Sequence, residues 1–349
     1  MIKFSKIIKK ERALRREPSP EKLKKEEKFT IPIREKKLPS LTKERESYPE
    51  LLNFSRRIWS KIEKKEKINL EDLEDRTAKI VDSFSSSNLL SEYWENIIKD
   101  YPVARAYFPN HSLNVCLLSL AMGMELKYPT AQLVDLGIAS LLHEAGMSAL
   151  PEKILFKNGK LTPGERTHIN LHPLHGRDRL KEIEGINKDI LLAVHQEHER
   201  GDGRGYPGGY KDEQIHEWAK IIGLADTFEA LTHSRAFRRR VPPEEAILRI
   251  IETGSERQFA RSILKVLLRQ ITFYPMDTWL RLSTGEIGRV CRTIPDSPLK
   301  PEVEIYFDSQ GRKLETPKRI NLCQDSLYSI RRTLTDKEIG RIYEKSETL

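Results

Sequence analysis

Histidines and carboxylates recur in five short clusters between His111 and Asp226, and every cluster sits on or beside a segment whose apolar residues repeat at helical spacing. His111 opens one such segment, His143-Glu144 closes another, and His168, His172 and His175 follow a third start. His195-Gln-Glu-His198-Glu-Arg-Gly-Asp202 then runs into a glycine-rich turn, and Asp226 lies inside Ile221 to Leu231. Ionisable groups buried without partners on helices are costly, so a fold that hides these helices must bring the groups together. Imidazoles and carboxylates meeting in that way form a metal-binding donor set.

The 349 residues suffice for one large or two modest domains with a real core. Cys116, Cys291 and Cys323 are odd in number and share no ligand-like spacing, which argues for a reducing compartment, against disulfides and against a thiolate zinc site. No apolar run reaches the roughly 18 to 20 residues of a membrane span, and Met1 to Lys10 is too short for a secretory signal, so a cytoplasmic protein is expected. Residues 1–45 hold 16 Lys/Arg against 7 Asp/Glu, a surplus equal to the whole-chain net charge of +9. A basic, proline-punctuated tail over a neutral body argues against specific nucleic-acid binding. The start of that tail, with Ile2, Phe4, Ile7 and Ile8 among lysines, reads either as a solvated segment or as a short amphipathic helix in weak peripheral contact with an anionic membrane.

Along the chain, Tyr48 to Glu66 and Leu70 to Phe84 read as helices of a leading helical cap, and His111 to Leu126 as a helix with His111 at the head of a buried stripe. Thr130 to Met147 reads as a helix with Thr130 as N-cap and Gly146 as stop. Leu161-Thr162-Pro163-Gly-Glu165 has the grammar of a capped helix start and places His168 and His172 one turn apart. Helices over Ile186 to His198 and Gln214 to His233 follow. After Tyr274-Pro275 the pattern changes: Trp279 to Val290 and Val303 to Gly311 read as short strands with tight turns at Gly285 and Gly311, and Asp336 to Lys345 as a closing helix. The expected plan is a mainly α protein: a basic tail (1–45), a helical cap (46–104), an all-α domain (105–270), a small β module (271–335) and a C-terminal helix (336–349).

In order, Leu-Leu-His143-x-x-Gly146, Leu161-Thr-x-x-Glu165 leading to His172-Pro-x-x-Gly176, Glu199-Arg-x-Asp-Gly-x-Gly205-Tyr206-Pro207 and Ala225-Asp226-x-Phe-x-Ala-Leu-Thr-x-x-Arg235 resemble the HD-GYP family. This is an all-α division of the HD metal-dependent phosphohydrolases whose members hydrolyse the bacterial second messenger cyclic di-GMP, and the resemblance covers roughly residues 105–270. It implies an HD-type helical bundle and metal ligation by His111, His143, Glu144, His172, His198 and Asp226, with Glu144 bridging two metals and Glu144 and Asp226 at the catalytic centre. It further implies substrate-phosphate contacts by Arg235 and Arg238, and a pocket bordered by Gly205, Tyr206 and Pro207. Residues 271–335 resemble a β appendage of some members, for which packing or partner contact is the expected role.

The chain departs from the family pattern around the metals. The doublet is His143-Glu144 where the family has His-Asp, Met147 stands where a lysine is usual, Glu197-His198 replaces a doubled histidine, and Tyr107 replaces a glutamate that three-metal members use. Glu197 keeps a ligand-capable oxygen, and His195, three residues before His198 on one helical face, is a candidate substitute for the missing imidazole. Mixed nitrogen and oxygen donors favour two divalent ions, iron or manganese, over zinc. The expected function is two-metal hydrolysis of cyclic di-GMP to the linear dinucleotide, with a second cleavage to GMP left open. The alternatives are a degenerate receptor or scaffold with protein signalling partners, motivated by Glu144, Met147 and Glu197, and hydrolysis of another nucleotide.

Overall fold

The computed structural model describes residues 46–86, 89–101, 106–157, 159–234, 240–253, 258–271, 273–274, 276–294 and 297–346. The basic tail and the two arginines expected on the substrate, Arg235 and Arg238, lie outside the described residues. The chain divides into two compact units, one within residues 26–267 and one within 268–349.

The first unit is helical: α1 (Tyr48–Glu63), α2 (Leu70–Ser86), α3 (Leu89–Ile98), α4 (Tyr107–Glu125), α5 (Thr130–Leu142), α6 (Glu152–Leu155), α7 (Pro163–Asn170), α8 (His172–Leu180), α9 (Lys188–Gln196), α10 (Glu217–Thr232), α11 (Pro243–Thr253) and α12, which starts at Arg261 and runs to Gln270 across the division. Its axis is α4. The sequence suggests a buried stripe there, but every residue from Tyr107 to Gly123 is buried, because α1, α5 and α10 all lie against it. A helix that is apolar nearly all round is one that neighbours enclose. Trp59 of α1 stacks on Phe108 with ring centroids 4.5 Å apart, and the Ser55 hydroxyl donates to the Pro109 carbonyl at 2.7 Å, fastening α1 to the start of α4.

Two local differences from the sequence reading matter for the site. The helix expected over 130–147 ends at Leu142, its N-cap is Pro129 instead of Thr130, and His143–Ala149 tightens into a 3₁₀ turn. Gly146 is then no terminator: a Cβ on it would lie 1.9 Å from the His172 carbonyl oxygen and 2.5 Å from the Gly176 nitrogen, so only glycine lets this turn touch the backbone of α8. The capping box at Thr162 forms as expected: the Thr162 hydroxyl accepts from the Glu165 N–H and Glu165 accepts from the Thr162 N–H. The helix it starts breaks at Leu171, however, so His168 and His172 belong to separate helices.

The second unit holds a five-stranded antiparallel sheet, β1 (Trp279–Leu282), β2 (Ile287–Arg292), β3 (Glu302–Phe307), β4 (Lys313–Asn321) and β5 (Ile330–Thr333), in the order β4-β3-β2-β1-β5. Pairings such as Trp279 with Arg289, Val303 with Ile320 and Arg281 with Arg332 fix its register. Ile287, Phe307, Leu334 and Ile339 form an apolar cluster, with Leu334 just before and Ile339 inside the closing helix α13 (Asp336–Ser346). The chain is thus mainly α with a small C-terminal β module, and among the described residues no helix is long and apolar enough to cross a membrane.

Candidate metal centre

Five segments of the helical unit deliver the expected donors to one place. The first turn of α4 carries His111, the 3₁₀ turn carries His143 and Glu144, the start of α8 carries His172, the residues just past α9 carry Glu197 and His198, and the middle of α10 carries Asp226. Donor atoms of His111, His143, Glu144 and Asp226 lie within 4.8 Å of one another, and so do those of His172, Glu197 and His198. All are buried except His198, which is slightly exposed.

Hydrogen bonds behind the rings decide what the rings present in front. His143 Nδ1 donates to the Ser140 carbonyl at 2.7 Å, His172 Nδ1 donates to the Ile169 carbonyl at 2.7 Å, and His111 Nδ1 donates to Glu229 Oε2 at 2.5 Å. With Nδ1 so engaged, each ring in its neutral, metal-binding form turns an unprotonated Nε2 toward the centre. Two such lone pairs, on His111 and His143, face each other across 3.2 Å, and His198 Nε2 lies 3.1 Å from His172 Nε2. Nitrogens so placed share a proton or a cation.

The carboxylates make the same demand. Glu144 sets Oε1 at 3.6 Å from His111 Nε2 and Oε2 at 3.3 Å from His172 Nε2, so one carboxylate spans both donor groups. Glu197 also spans them, 3.4 Å from His172 Nε2 through Oε1 and 3.8 Å from His143 Nε2 through Oε2. Asp226 lies 3.3 Å from His111 Nε2 and 3.8 Å from His198 Nδ1. Glu144 Oε2 and both oxygens of Glu197 are buried without a hydrogen-bond partner. A native interior rarely leaves carboxylate oxygens in that condition, and the donor set fits cations.

The titration behaviour follows. Burial, then the neighbouring Glu144 and Asp226, push the Glu197 carboxyl well above its ordinary range. Burial and then the nearby His172 hold His198 well below the usual imidazole value. Burial opposes charge on His111, yet Tyr107, Glu229, Asp226 and Glu144 outweigh it and raise its pKa well above normal. Glu144 is lowered although burial raises it, because His172, His111 and His143 surround it.

The glycine-rich loop is fixed from beneath by Glu199. Its Oε1 accepts from the Gly208 and Gly209 N–H groups at 2.6 and 3.1 Å, and Oε2 from Tyr210 N–H at 2.9 Å. Gly205 crosses so close to the chain that a Cβ there would lie 2.4 Å from Arg200 N and 2.5 Å from the His198 carbonyl oxygen. Tyr206 N–H donates to that carbonyl at 3.2 Å, and its ring lies 4.7 Å from the His198 ring, beside the donor groups, with Pro207 next in a cis peptide.

Four groups stand differently from what the sequence suggests or shows. His195 cannot replace the missing imidazole, since it faces Pro173, Arg177 and Asp178 and stands in neither donor group. Glu199 opens the glycine-rich motif in the sequence, but its role beneath the loop shows only in its hydrogen bonds. Glu229 reads in the sequence merely as a polar companion of Asp226, but it is fully buried and bonded to His111. Tyr107, expected as a lost ligand, lies flat on His111 with centroids 5.2 Å apart.

Known proteins resemble this chain over both units. Residues 91–263 match the family model of the HD domain, and residues 279–342 match that of a KOW domain associated with HD domains. A cyclic di-GMP phosphodiesterase of Pseudomonas aeruginosa is 28% identical over 254 residues, which cover 70% of this chain and 61% of that protein. Another, from Borreliella burgdorferi, is 25% identical over 237 residues, covering 67% of this chain and 62% of that one. A 3'3'-cGAMP-specific phosphodiesterase of Vibrio cholerae is 30% identical over 141 residues, covering 40% of this chain and 30% of its own length. The chain therefore spans about 60% of the first two relatives and less of the third. Among solved structures, an HDG"Y"P protein from Bdellovibrio bacteriovorus has the same fold, with a TM-score of 0.51 at 17% identity over 62% of this chain and 67% of that one.

Proposed function

The chain belongs to the HD-domain family in its HD-GYP branch, and from that premise we propose that it is a metal-dependent phosphodiesterase that hydrolyses cyclic di-GMP to the linear dinucleotide. One observation carries this reading. Three imidazoles, each pinned at Nδ1, and two carboxylates with unpartnered oxygens converge on a single buried point.

His111, His143, Glu144 and Asp226 would hold one divalent ion, His172, Glu197 and His198 a second, with Glu144 shared between them. Iron or manganese suits this mixture of nitrogen and oxygen donors without thiolate. When bound, such ions supply Lewis-acid charge that acidifies water and polarises a phosphodiester. The chain's own share is to hold the donors in register: Ser140, Ile169 and Glu229 fix the three tautomers, and burial keeps the competing water out. Tyr206, half-buried beside His198, borders the place where a substrate would enter, together with Gly205 and Pro207. Arg235 and Arg238 are assigned to the substrate phosphates on the family motif alone, where a planar guanidinium can grip two oxygens.

The receptor alternative rested on Glu144, Met147 and Glu197. Glu144 and Glu197 nevertheless reach both donor groups, which favours a working centre. The domain plan proposed with this reading is a cap at 46–104, a hydrolase domain at 105–270 and a β module at 271–335. Purification under anaerobic conditions with manganese or ferrous iron, followed by chromatography of cyclic di-GMP and 3'3'-cGAMP reactions, tests it. Formation of the linear dinucleotide is expected. Faster cleavage of 3'3'-cGAMP would change the substrate, and cleavage of neither would overturn the proposal.

A further inference from the structure

Glu229 is a buried carboxylate that the chemistry above does not use as a ligand. Unlike Glu144 and Glu197, it has every oxygen engaged. Oε1 accepts from Tyr101 OH at 2.5 Å, from Asn114 Nδ2 at 3.1 Å, and lies 3.2 Å from His233 Nδ1, while Oε2 takes the Nδ1–H of His111. Asp226 and Glu229 are one turn apart on α10, so a single helix holds both nitrogens of one imidazole: Asp226 faces Nε2 at 3.3 Å and Glu229 faces Nδ1. The Tyr107 ring, 16° from parallel, closes a third side of the His111 ring.

The network does not stop at Glu229. Asn114, which donates to it, accepts from Tyr48 OH at 2.8 Å, and Tyr48 is the first residue of α1. That helix lies ahead of residues 91–263, the part that matches the HD-domain model. Two hydrogen bonds therefore lead from the leading helices to the carboxylate behind His111.

We propose that Glu229 is the positioning residue of the metal centre and that Asn114 and Tyr48 hold it, so that the first helix of the cap helps set the affinity of the centre for its ion. The inference rests on the metal-centre reading above. A carboxylate behind a ligating imidazole fixes the tautomer and ring orientation and raises the basicity of the coordinating nitrogen. Buried networks of this kind are stiff only when every member is satisfied, so loosening a distant member loosens the ring. Tyr48 carries no charge, and its removal tests orientation separately from electrostatics.

The measurement is manganese affinity of the full chain, read as free Mn²⁺ by electron paramagnetic resonance at fixed pH, beside the melting temperature of the metal-free protein. Glu229→Gln is expected to weaken binding about 10- to 100-fold. Tyr48→Phe is expected to weaken it by a smaller factor in the same direction while the charge of the centre is unchanged. Wild-type protein that binds no manganese would bring down the metal-centre reading and this inference with it. Wild-type protein that binds, with both variants matching its affinity, overturns this inference alone, even if their melting temperatures fall. A loss in Glu229→Gln but none in Tyr48→Phe overturns the arm through the cap and leaves positioning to Glu229; should Glu229→Gln not fold, Tyr48→Phe decides.

Discussion

The helical unit buries a cluster of ionisable groups beneath its surface pairs, whereas the described ion pairs of the β module lie at its surface. In the first, His111, His143, Glu144, His172, Glu197, Asp226 and Glu229 are all buried. In the second, the described apolar cluster is Ile287, Phe307, Leu334 and Ile339, and ion pairs such as Arg312 with Asp308 and Arg319 with Glu304 have arginines about two-thirds exposed. Burying ionisable groups rarely adds stability over well-packed apolar residues, while exposed pairs add little either way. The contrast teaches that a polar interior such as that of the helical unit answers to chemistry, whereas an apolar cluster such as Ile287, Phe307, Leu334 and Ile339 answers to folding.

The largest effect should come from the donors. His143→Ala or Asp226→Ala is expected to abolish metal loading and to reduce turnover by more than about 100-fold; normal metal content by elemental analysis in either variant would break the comparison at its centre. Phe307→Ala should do the reverse, costing about 3–5 kcal/mol of stability in denaturant titration with metal content intact. A Phe307→Ala protein that loses its metal would show that the module contributes to the centre.

Gly205→Ala probes the border of the site. Its new methyl would collide with the backbone of residues 198–200, so a loss of about 1–3 kcal/mol is expected, together with weaker turnover. Unchanged activity would detach the loop from the chemistry. The half-buried carboxylate Glu165 is lowered to about 2 by hydrogen bonds from Lys157 and Thr162. A depressed carboxyl stabilises the fold above its ordinary pKa of 4.5 and loses that contribution as pH falls toward about 2. Glu165→Gln should therefore lower the melting temperature slightly at neutral pH and flatten its fall over that acid window. The smallest effect is expected at Arg319→Ala, whose exposed pair should be worth less than about 0.5 kcal/mol; a larger loss would show that surface charge in the module does more than decorate it.

The ligand-bearing segments were legible because they combine rare residue types with capping grammar, as at Thr162-Pro163-x-Glu165, and because an apolar helix cannot carry a histidine and an acid without a reason. Glu229 was not, since a carboxylate three residues from another looks the same in sequence whether both face solvent or grip two sides of one ring. The module's first strands showed through their alternation. β4 did not: most of its residues from Lys313 to Arg319 are exposed, so it lacks an apolar pattern and owes its conformation to pairing with β3. β5 is four residues with a single buried one, too short to leave a signal. The break at Leu142 was hidden for a related reason, because local propensity continues the helix while contact with α8 tightens it.

Where Gly146 meets α8, main chain touches main chain with no side chain between. The separation between the segment bearing His143 and Glu144 and the one bearing His172 is thus a property of the scaffold and not of any rotamer. A chassis of that kind lets individual donors be exchanged over evolutionary time, a longer acid for a shorter one or an oxygen for a nitrogen, while the gauge between the two halves of the centre stays the same.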